Sequence, residues 1–492
     1  MITVECLKNG QLRIEFETDR EYNSFERIFT QREQNRRYLY HLKKWTVADE
    51  DVAYLKRDSR LKDKCLYVFK GLLSTLKYVL SANGMPFKVI GEKTDDKGIE
   101  ITQRWLDIFA SHPKKDMGYD QVQLQTAALL KEKSSGIVSL AVGYGKATII
   151  SALVESYLEQ HDKDVVLISF TKNLLKELEL RLKQYDVDTS RVKLIHPTGF
   201  VKSAATKPER WDELSNVGLL IADEAHHASA DTWKQVIKAC NPDFLYGFTG
   251  SADAKSGHEV TPDLVLRKQL TQQNFAMLEY FGESLIHVKL QVPINLVSYN
   301  AEIISKAEYE QVVAENLNKD IPTPQFIGAC TLKHPNFPLT LARIIGDMPD
   351  GIVFIPETTS IETGTAICNA LNLMGIRTVF LSAQVQLSPV GEVSMTLEQL
   401  KALAAQKAFR VLIANQVGTE GLDIPNINSV IPITSVSFKG LVQPVGRAAR
   451  TTELTCALLY DKHNGVMNRQ MRHKMQMLKD HFILKTQQTK DI

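Results

Sequence analysis

Nine short apolar runs, most of them followed by a turn and then by helical periodicity, constrain the fold of this chain more than any other feature. Four precede residue 251, GIVSLAV, DVVLISF, VGLLIAD and FLYGFTG, and five follow residue 350, GIVFIP, TVFLSA, RVLIAN, SVIPIT and CALLYD. Strands that are apolar on both faces and alternate with helices are typical of buried parallel sheets with βαβ connections. The sequence therefore predicts an α/β fold with two parallel-sheet domains.

A small α+β domain is predicted for residues 1–112. The alternating segments ITVECL and QLRIEF flank Lys8-Asn9-Gly10 and predict a β-hairpin, while residues 66–80 predict an amphipathic helix. Residues 31–90 carry 13 Lys and Arg against 6 Asp and Glu, set among Tyr and Trp side chains. This surplus fits either a nucleic-acid surface or a solvated face over an aromatic core, and the sequence leaves both open.

The remaining boundaries follow changes in periodicity. The first parallel-sheet domain is predicted over residues 113–270, and the second over residues 336–465. Residues 271–335 have weaker periodicity and several prolines, which predicts a connector. Residues 466–492 place methionines, a leucine and Phe482 on one stripe, which predicts a C-terminal helix that packs by this stripe.

Composition excludes several classes of protein. The 492 residues are 44% hydrophobic and 24% charged, without an apolar run long enough to cross a membrane, so neither a disordered nor a membrane-spanning chain is expected. The six cysteines are scattered without zinc-ligand spacing. The first residues alternate and soon carry charge, unlike a secretory signal, which predicts a cytoplasmic protein. A net charge of +2 restricts any nucleic-acid surface to a local patch.

The segment AVGYGKAT, residues 141–148, has the features of a phosphate-binding loop. It follows the apolar run GIVSLAV and precedes the helical stretch IISALVESYLEQ. Gly143 and Gly145 allow the backbone to turn its N–H groups inward, and the helix N-terminus adds positive dipole. Lys146 supplies a charge for the β- and γ-phosphates of a nucleotide. The sequence therefore predicts an ATP site at this loop.

The Mg²⁺ ligands of this site are less regular. Ala147 occupies the position of the Ser or Thr that usually binds the metal, and Thr148 lies one step further along the helix. Asp223 and Glu224 close the fully apolar run VGLLIAD, 77 residues after Lys146. Because carboxylates there point to the ligand edge of a sheet, Asp223 is predicted to bind Mg²⁺ through water and Glu224 to polarise the attacking water as general base.

Four segments in a fixed order carry a family resemblance. They are Asp223-Glu224-Ala225-His226, Thr249-Gly250-Ser251-Ala252, VGTEGLDIP at residues 417–425 and QPVGRAAR at residues 443–450. Together they resemble superfamily 2 helicases and translocases of the DEAH-box type, over residues 119–461. The resemblance implies two RecA-like domains with ATP in the cleft between them, here preceded by the small α+β domain.

Further nucleotide contacts come from the same resemblance. If residues after Leu441 form a helix, Gln443, Arg447 and Arg450 lie at i, i+4 and i+7 on one face. The resemblance implies that Arg447 and Arg450 are arginine fingers and that Gln443 helps to place the attacking water.

Three additional residues match family positions near the nucleotide. Gly421 and Asp423 match family positions that contact the nucleotide and respond to the state of the interface between the domains. Gln125 lies in LQTAA, 21 residues before Lys146, and matches the glutamine that reads the adenine edge.

Nucleic-acid contacts are expected at the opposite rim. SFTKN, residues 169–173, stands where the family has a proline-threonine motif, with Phe170 in place of the proline, and HPTGF, residues 196–200, is a second candidate. Thr171, Thr198 and Thr419 are the predicted contacts, through hydrogen bonds to phosphate oxygens that read no base sequence.

The DEAH motif, the chain length and the basic N-terminal domain are together similar to the UvsW-like branch-migration helicases of bacteriophages. The resemblance implies an ATP- and Mg²⁺-dependent DNA helicase or translocase in the host cytoplasm. It would act on forks, four-way junctions and single strands in recombination-linked replication or repair. A double-strand translocase or RNA helicase with the same motor is a second interpretation. A third, prompted by Ala147, is an ATP-gated nucleic-acid-binding protein with weak turnover. No membrane partner is expected, and the sequence does not identify protein partners.

Overall fold

A computed structural model describes residues 1–39, 44–56, 65–92, 97–112, 118–141, 144–250, 259–288, 293–316, 330–356, 360–382, 386–415, 424–433, 441–442, 445 and 454–492. Side chains are described at these positions except at 32–39, 44–50, 173, 397, 480 and 481. The chain forms two compact units, one of residues 1–35 and 49–288 and the other of residues 36–48 and 289–492.

The N-terminal part contains the predicted hairpin. Strands β1 (Ile2–Cys6) and β2 (Gln11–Glu15) pair antiparallel, and Gly10 in the turn has a φ of +73° that favours glycine. Strands β3 (Thr30–Leu39) and β4 (Lys44–Ala53) form a separate two-stranded sheet. Strands β5 (Leu66–Phe69) and β6 (Phe87–Ile90) complete a four-stranded sheet of order β5-β2-β1-β6.

Three helices accompany these strands. They are α1 (Asp19–Ile28), α2 (Leu73–Ala82), which a 3-10 turn (Lys70–Leu72) precedes, and α3 (Gln103–Ala110). The helix predicted over residues 66–80 is therefore wrong in its first part. Leu66 and Val68 are buried and Tyr67 is exposed, because β5 pairs with the edge of β2 and takes the alternation of a strand.

The first parallel sheet has six strands. They are β7 (Ser135–Leu140), β8 (Asp164–Ile168), β9 (Val192–Ile195), β10 (Val217–Asp223), β11 (Phe244–Thr249) and β12 (Ser284–Val288). Their order is β12-β7-β11-β10-β8-β9, and every neighbouring pair is parallel. The carboxyl ends of all six strands therefore meet at one edge.

Seven α-helices and two 3-10 helices are present among the described residues of this region. The α-helices are α4 (Tyr119–Glu132), α5 (Lys146–Gln160), α6 (Lys172–Gln184), α7 (Pro197–Thr206), α8 (Asp231–Cys240), α9 (Asp263–Leu266) and α10 (Gln272–Phe281). The 3-10 helices are Pro208–Leu214 and Ala225–Ser229.

The second sheet has nine strands. They are β13 (Pro293–Ala301), β14 (Ile352–Pro356), β15 (Thr378–Leu381), β16 (Gln386–Ser388), β17 (Gly391–Glu392), β18 (Val411–Ala414), β19 (Ile427–Val430), β20 (Leu454–Asp461) and β21 (Ile483–Asp491). The order is β17-β16-β15-β18-β14-β19-β20-β13-β21, and only the pairs involving β16 are antiparallel. Its helices are α11 (Lys306–Asn316), α12 (Phe337–Asp347), α13 (Ile361–Leu373), α14 (Leu397–Ala405) and α15 (Gly465–His481).

The α/β class and the two parallel sheets are thus confirmed, while two ranges differ from expectation. The predicted connector, residues 271–335, contains β12 of the first sheet and β13 of the second. Pro293 is compatible with β13 because it is the first residue of that strand. The C-terminal helix ends at His481, and the chain continues as β21 along β13. The boundaries predicted between domains stay predictions.

The N-terminal sheet and the first parallel sheet share one hydrophobic core that runs from Ile2 to Phe281. The Phe69 and Tyr280 rings lie 5.1 Å apart. A Cβ at Gly71 would meet the Gly282 nitrogen at 2.7 Å, so only glycine permits this close approach of the two backbones. None of the described helices combines the length and apolar content needed to cross a bilayer.

Candidate nucleotide site

The predicted phosphate loop lies where β7 ends and α5 begins. Gly145 is the N-cap of α5 and has left-handed backbone angles (φ 80°, ψ 34°), which glycine adopts without steric cost. No side chain among the described residues caps this helix end. The first backbone N–H groups of α5 have no acceptor within the helix, and with the helix dipole they form an anion site.

Lys146 begins α5 and lies close to the predicted acid. Its Nζ donates a hydrogen bond to the Leu140 carbonyl oxygen at 3.4 Å, and its charge lowers the pKa of Asp223. The ammonium group therefore lies between the end of β7 and the end of β10, as a phosphate-binding lysine requires. Gly143, the other glycine of the predicted loop, lies outside the described residues.

The first turn of α5 carries the irregular metal position. Thr148 is half-buried, and its Oγ1 lies 3.7 Å from the position that a Cβ would take at Gly145. Its hydroxyl therefore faces the loop even though it follows Ala147, which has no oxygen ligand to offer. Thr148 thus offers a hydroxyl on the loop side that could compensate for Ala147.

The glutamine that contacts the loop is Gln123, not Gln125. Gln125 is exposed on α4, whereas Gln123 is fully buried and its Nε2 donates to the Tyr144 carbonyl oxygen at 3.1 Å. A Cβ at Gly145 would overlap the Gln123 amide. Gln123 therefore takes the loop-contacting position on α4, while an adenine contact by either glutamine stays a prediction.

A periodicity signal could have identified Gln123. The buried face of α4 contains Tyr119, Gln123, Thr126 and Leu130, at helical spacing, and Gln125 falls outside it. The Tyr119 ring stacks on the Tyr144 ring with centroids 4.5 Å apart. The aromatic stack and the Gln123 hydrogen bond together attach the glycine loop to α4.

Asp223 and Glu224 follow directly from the buried strand β10. Burial is the main cause that raises the pKa of Asp223, followed by the Glu224 carboxylate, while Lys146 and the Glu224 backbone N–H lower it. Two adjacent acids in a buried position disfavour a second negative charge, and a bound cation would relieve the repulsion. The charge arrangement therefore suits a divalent metal.

The metal would not be held by protein acids alone. Among the described residues, no group of three or more His, Cys, Asp and Glu side chains is arranged to bind a metal ion. Asp223 offers one carboxylate, and water and phosphate oxygens are the ligands that Mg²⁺ commonly adds. The described residues fit Mg²⁺ that is bound together with a nucleotide.

Glu224 is held in a strained backbone conformation. Its φ of 57° and ψ of 51° are left-handed, which is rare for a residue with a Cβ, and it leads into the 3-10 helix Ala225–Ser229. Its Oε2 lies 3.3 Å from His226 Nδ1, and the same Nδ1 lies 3.2 Å from Thr249 Oγ1 at the end of β11. His226 thus links the candidate base to the neighbouring strand.

Two of the predicted nucleic-acid contacts, Thr171 and Thr198, lie at or near the starts of helices. Thr171 is the N-cap of α6, and its side chain accepts a hydrogen bond from the Leu174 N–H at 3.2 Å. Thr198 is exposed near the start of α7, and its hydroxyl lies 3.4 Å from that of Thr232.

The remaining predicted site residues lie outside the described residues. They are Thr419, Gly421, Asp423, Gln443, Arg447 and Arg450.

Two family models match the chain at the two sheets. Residues 95–253 match the model described as "Type III restriction enzyme, res subunit", and residues 340–452 match "Helicase conserved C-terminal domain". The first match contains the glycine loop and Asp223-Glu224, and the second falls within the nine-stranded sheet region. The two matches together place superfamily 2 helicase domains at both parallel sheets.

Individual relatives are distant. A protein of the Sulfolobus islandicus filamentous virus (isolate Iceland/Hveragerdi), provisionally named helicase 22, is 23% identical over 341 residues, which cover 65% of this chain and 58% of that protein. The chain therefore spans less than two thirds of the length of this viral relative.

Solved structures show similarity at low identity. T4 UvsW is 14% identical, with a TM-score of 0.41 and coverage of 100% of this chain and 99% of that chain. The Saccharomyces cerevisiae protein Dbp5, bound to RNA and ADP BeF3, is 13% identical, with a TM-score of 0.49 and coverage of 78% and 95%. The Pyrococcus furiosus Hef helicase domain is 15% identical, with a TM-score of 0.43 and coverage of 72% and 96%. Likeness at this level says nothing about substrate.

Proposed function

We propose that this helicase is an ATP-driven DNA helicase or translocase that acts on branched DNA. The observation that carries the motor assignment is the convergence of three features at one sheet edge. These are the N-terminus of α5 with Gly145 and Lys146, the Gln123 contact to the loop, and the Asp223-Glu224 pair. A chain with these features can bind phosphate, hold a metal and activate water.

Each described residue has a defined part in the proposed reaction. Gly145 and the first N–H groups of α5 bind phosphate oxygens, and Lys146 balances their charge. Asp223 would hold Mg²⁺ through water, and the metal, when bound, would supply positive charge next to the phosphates of the nucleotide. Glu224 accepts a proton from the attacking water, while His226 keeps its carboxylate oriented through the 3.3 Å contact.

Gln123 is proposed in the role that the sequence assigned to Gln125. Its buried amide both packs on Gly145 and bonds the Tyr144 carbonyl oxygen. Gln123 Oε1 is buried without a hydrogen-bond partner among the described residues. An acceptor held in that state favours a ligand donor such as an adenine amino group.

Roles outside the described residues rest on the family resemblance alone. Arg447 and Arg450 are proposed as arginine fingers, with Gln443 placing the water. Gly421 and Asp423 are proposed as nucleotide contacts, and Thr419 as a strand contact. Arginines supplied by a second domain would couple hydrolysis to domain closure, because they stabilise charge that develops only in the transition state.

The choice of branched DNA rests on the sequence. The motifs resemble UvsW-like helicases, and the N-terminal domain adds a surplus of seven basic residues over residues 31–90. The proposal therefore includes fork regression or junction migration in recombination-linked replication or repair, in the cytoplasm of the host cell.

Ala147 favours a second candidate function. With no hydroxyl at this position, Mg²⁺ binding weakens, and ATP would then change DNA affinity without efficient turnover. The intact set of Lys146, Asp223 and Glu224 argues against this, because a protein that only binds ATP has no need for a general base.

Steady-state ATP hydrolysis with Mg²⁺ tests these candidates together. The protein is assayed without nucleic acid and then with single-stranded DNA, a fork, a four-way junction and matched RNA. Strong stimulation by branched DNA supports the proposal, and stimulation by RNA redirects the substrate. ATP binding without stimulated turnover replaces the motor with the gated-binding candidate.

A further inference from the structure

Phe170 is an exposed aromatic residue placed next to the candidate catalytic turn. Strands β8 and β10 are parallel neighbours, and Ile168 pairs with Ala222. The residues that follow these two strands, Phe170 on one and Glu224 on the other, therefore lie beside each other at the carboxyl edge of the sheet. Phe170 is 41% exposed, whereas phenylalanine side chains are usually buried.

The Phe170 ring stacks face to face on His227. Their centroids are 3.9 Å apart and their planes differ by 4°. On the protein side, His227 lies 4.3 Å from the His226 ring and 6.0 Å from that of Trp233, which is buried. The Phe170 and His227 stack is therefore packed against the interior on its His227 side, in contact with the second histidine.

The chain of contacts continues to the candidate base. His226 Nδ1 lies 3.3 Å from Glu224 Oε2 and 3.2 Å from Thr249 Oγ1. Glu224 itself is in a left-handed conformation, so its carboxylate orientation depends on the groups around it. Ring contacts and the 3.3 Å approach of His226 Nδ1 to Glu224 Oε2 thus connect an exposed aromatic residue to the group proposed to activate water.

The surroundings of Phe170 suit single-stranded nucleic acid. The next residues form the capped N-terminus of α6, where Lys172 and Lys176 are exposed. A helix N-terminus with lysines attracts phosphates, and an exposed aromatic ring accepts a stacked base of any sequence. A base that stacked on the exposed part of the Phe170 ring would bury it and would favour one arrangement of the Phe170 and His227 rings.

We propose that Phe170 couples nucleic-acid contact at the loop after β8 to the orientation of Glu224, through the stacked ring of His227 and the imidazole of His226. Phe170 is in this view a positioning residue. Phe170 changes ATP turnover when nucleic acid is bound, and it has no part in basal ATP hydrolysis. The inference rests on the proposed motor function and adds a specific set of contacts that connects bound nucleic acid to the nucleotide site.

The test compares Phe170→Ala with Phe170→Tyr and Phe170→Leu in the full chain. ATP turnover is measured without nucleic acid and at saturating single-stranded DNA, together with the DNA concentration for half stimulation. We expect Phe170→Ala and Phe170→Leu to lower the stimulated turnover about fivefold to tenfold with basal turnover unchanged. Phe170→Tyr keeps the ring and should retain stimulation.

Controls separate coupling from folding and from binding. Leu180→Ala removes another exposed apolar side chain, on α6, and should leave all values and the melting temperature unchanged. In a double-mutant cycle, His227→Ala combined with Phe170→Ala should add little to either single variant, because both break the same stack.

Three results would overturn the inference. Phe170→Ala could keep full stimulation, Phe170→Leu could equal Phe170→Tyr, or Phe170→Ala could change only the half-stimulating DNA concentration, which would make Phe170 a simple strand contact. If wild-type protein shows no stimulation by any nucleic acid, the proposed motor function fails first, so the two failures are distinguishable.

Discussion

At the scale of single residues, the candidate site separates groups that hold the nucleotide from one that would act on water. Gly145 and Lys146 belong to the helix N-terminus that attracts phosphate, and Glu224 occupies the turn after β10. Since these groups come from different strands, a substitution at one should leave the other in place. Binding and turnover can therefore be measured as separate properties.

Replacement of the candidate base gives the most direct prediction. Glu224→Gln keeps the shape and removes the proton acceptor, so ATP binding should persist while turnover falls about 100-fold or more. Single-turnover hydrolysis and nucleotide titration measure the two effects. Glu179→Gln, at a partly exposed glutamate of α6 that pairs with Lys183, is the matched control. Undiminished turnover in Glu224→Gln would remove Glu224 from this role.

The two glutamines of α4 form a natural pair of variants. Gln123→Ala removes the hydrogen bond to the Tyr144 carbonyl oxygen, and loss of a buried bond of this kind costs about 1 kcal/mol or more. Nucleotide affinity should fall about fivefold, while Gln125→Ala should match wild type because its side chain is exposed. Equal nucleotide affinities in a titration of both variants would contradict the assignment to Gln123.

The metal position can be tested by exchange of a hydroxyl. Ala147→Thr adds the missing ligand and should lower the Mg²⁺ concentration for half-maximal turnover. Thr148→Ala should raise it, because the Thr148 hydroxyl faces the loop. A Mg²⁺ titration of ATP hydrolysis measures both shifts. If neither variant moves the midpoint, phosphate, water and Asp223 are sufficient ligands.

At the scale of elements, a helix end gives the candidate residue Thr171 a structural role beside its predicted one. Thr171 caps α6 through the Leu174 N–H, and its predicted role in strand binding uses the same hydroxyl. His196 caps α7 in the same way by accepting from the Gly199 N–H. Loss of activity in a Thr171 variant is therefore ambiguous unless the cap is preserved.

Thr171→Asp resolves this ambiguity. Aspartate caps helices as well as threonine does, so the melting temperature should be unchanged, whereas Thr171→Ala should cost about 1 kcal/mol of stability. The new negative charge repels phosphates, so the affinity for single-stranded DNA should fall in Thr171→Asp if the loop contacts the strand. Thermal unfolding and DNA titration at two salt concentrations measure the effects. An unchanged affinity of Thr171→Asp for single-stranded DNA would mean that the DNA binds at another part of the protein.

The elements that periodicity predicted correctly are those with strong local signals. The run VGLLIAD became β10, and every residue of that strand is buried. In contrast, β21 has the polar sequence ILKTQQTKD and forms because the edge of β13 is available for pairing. No local pattern indicates such a strand, because its partner is nearly 200 residues away.

At the scale of the whole molecule, the N-terminal sheet is part of the first compact unit. Lys268 Nζ donates to the carbonyl oxygens of Ile28 and Thr30 at 2.6 and 3.0 Å, and the Tyr54 and Phe275 rings lie 5.1 Å apart. With the shared core, these contacts mean that the N-terminal sheet should move with the first RecA-like domain.

Hydrogen exchange at increasing denaturant concentration tests whether the N-terminal sheet and the first parallel sheet unfold together. Amides of β1 and β10 should lose protection in the same transition, because their strands share one core. Gly71→Ala should shift that transition as a whole, since its Cβ would meet backbone atoms at 2.7 Å. Earlier loss of protection in β1 would show that the N-terminal sheet unfolds independently.

The amino-acid sequence by itself determined the α/β class, the glycine loop and the position of Asp223 and Glu224, because these depend on local periodicity and spacing. The tertiary structure decided which of two glutamines contacts the loop, since one residue step rotates a side chain by about 100° around a helix. It also decided that residues 66–69 are a strand and that Phe170 stacks on His227. Those outcomes depend on partners distant in the chain, and only the packed fold brings such partners together.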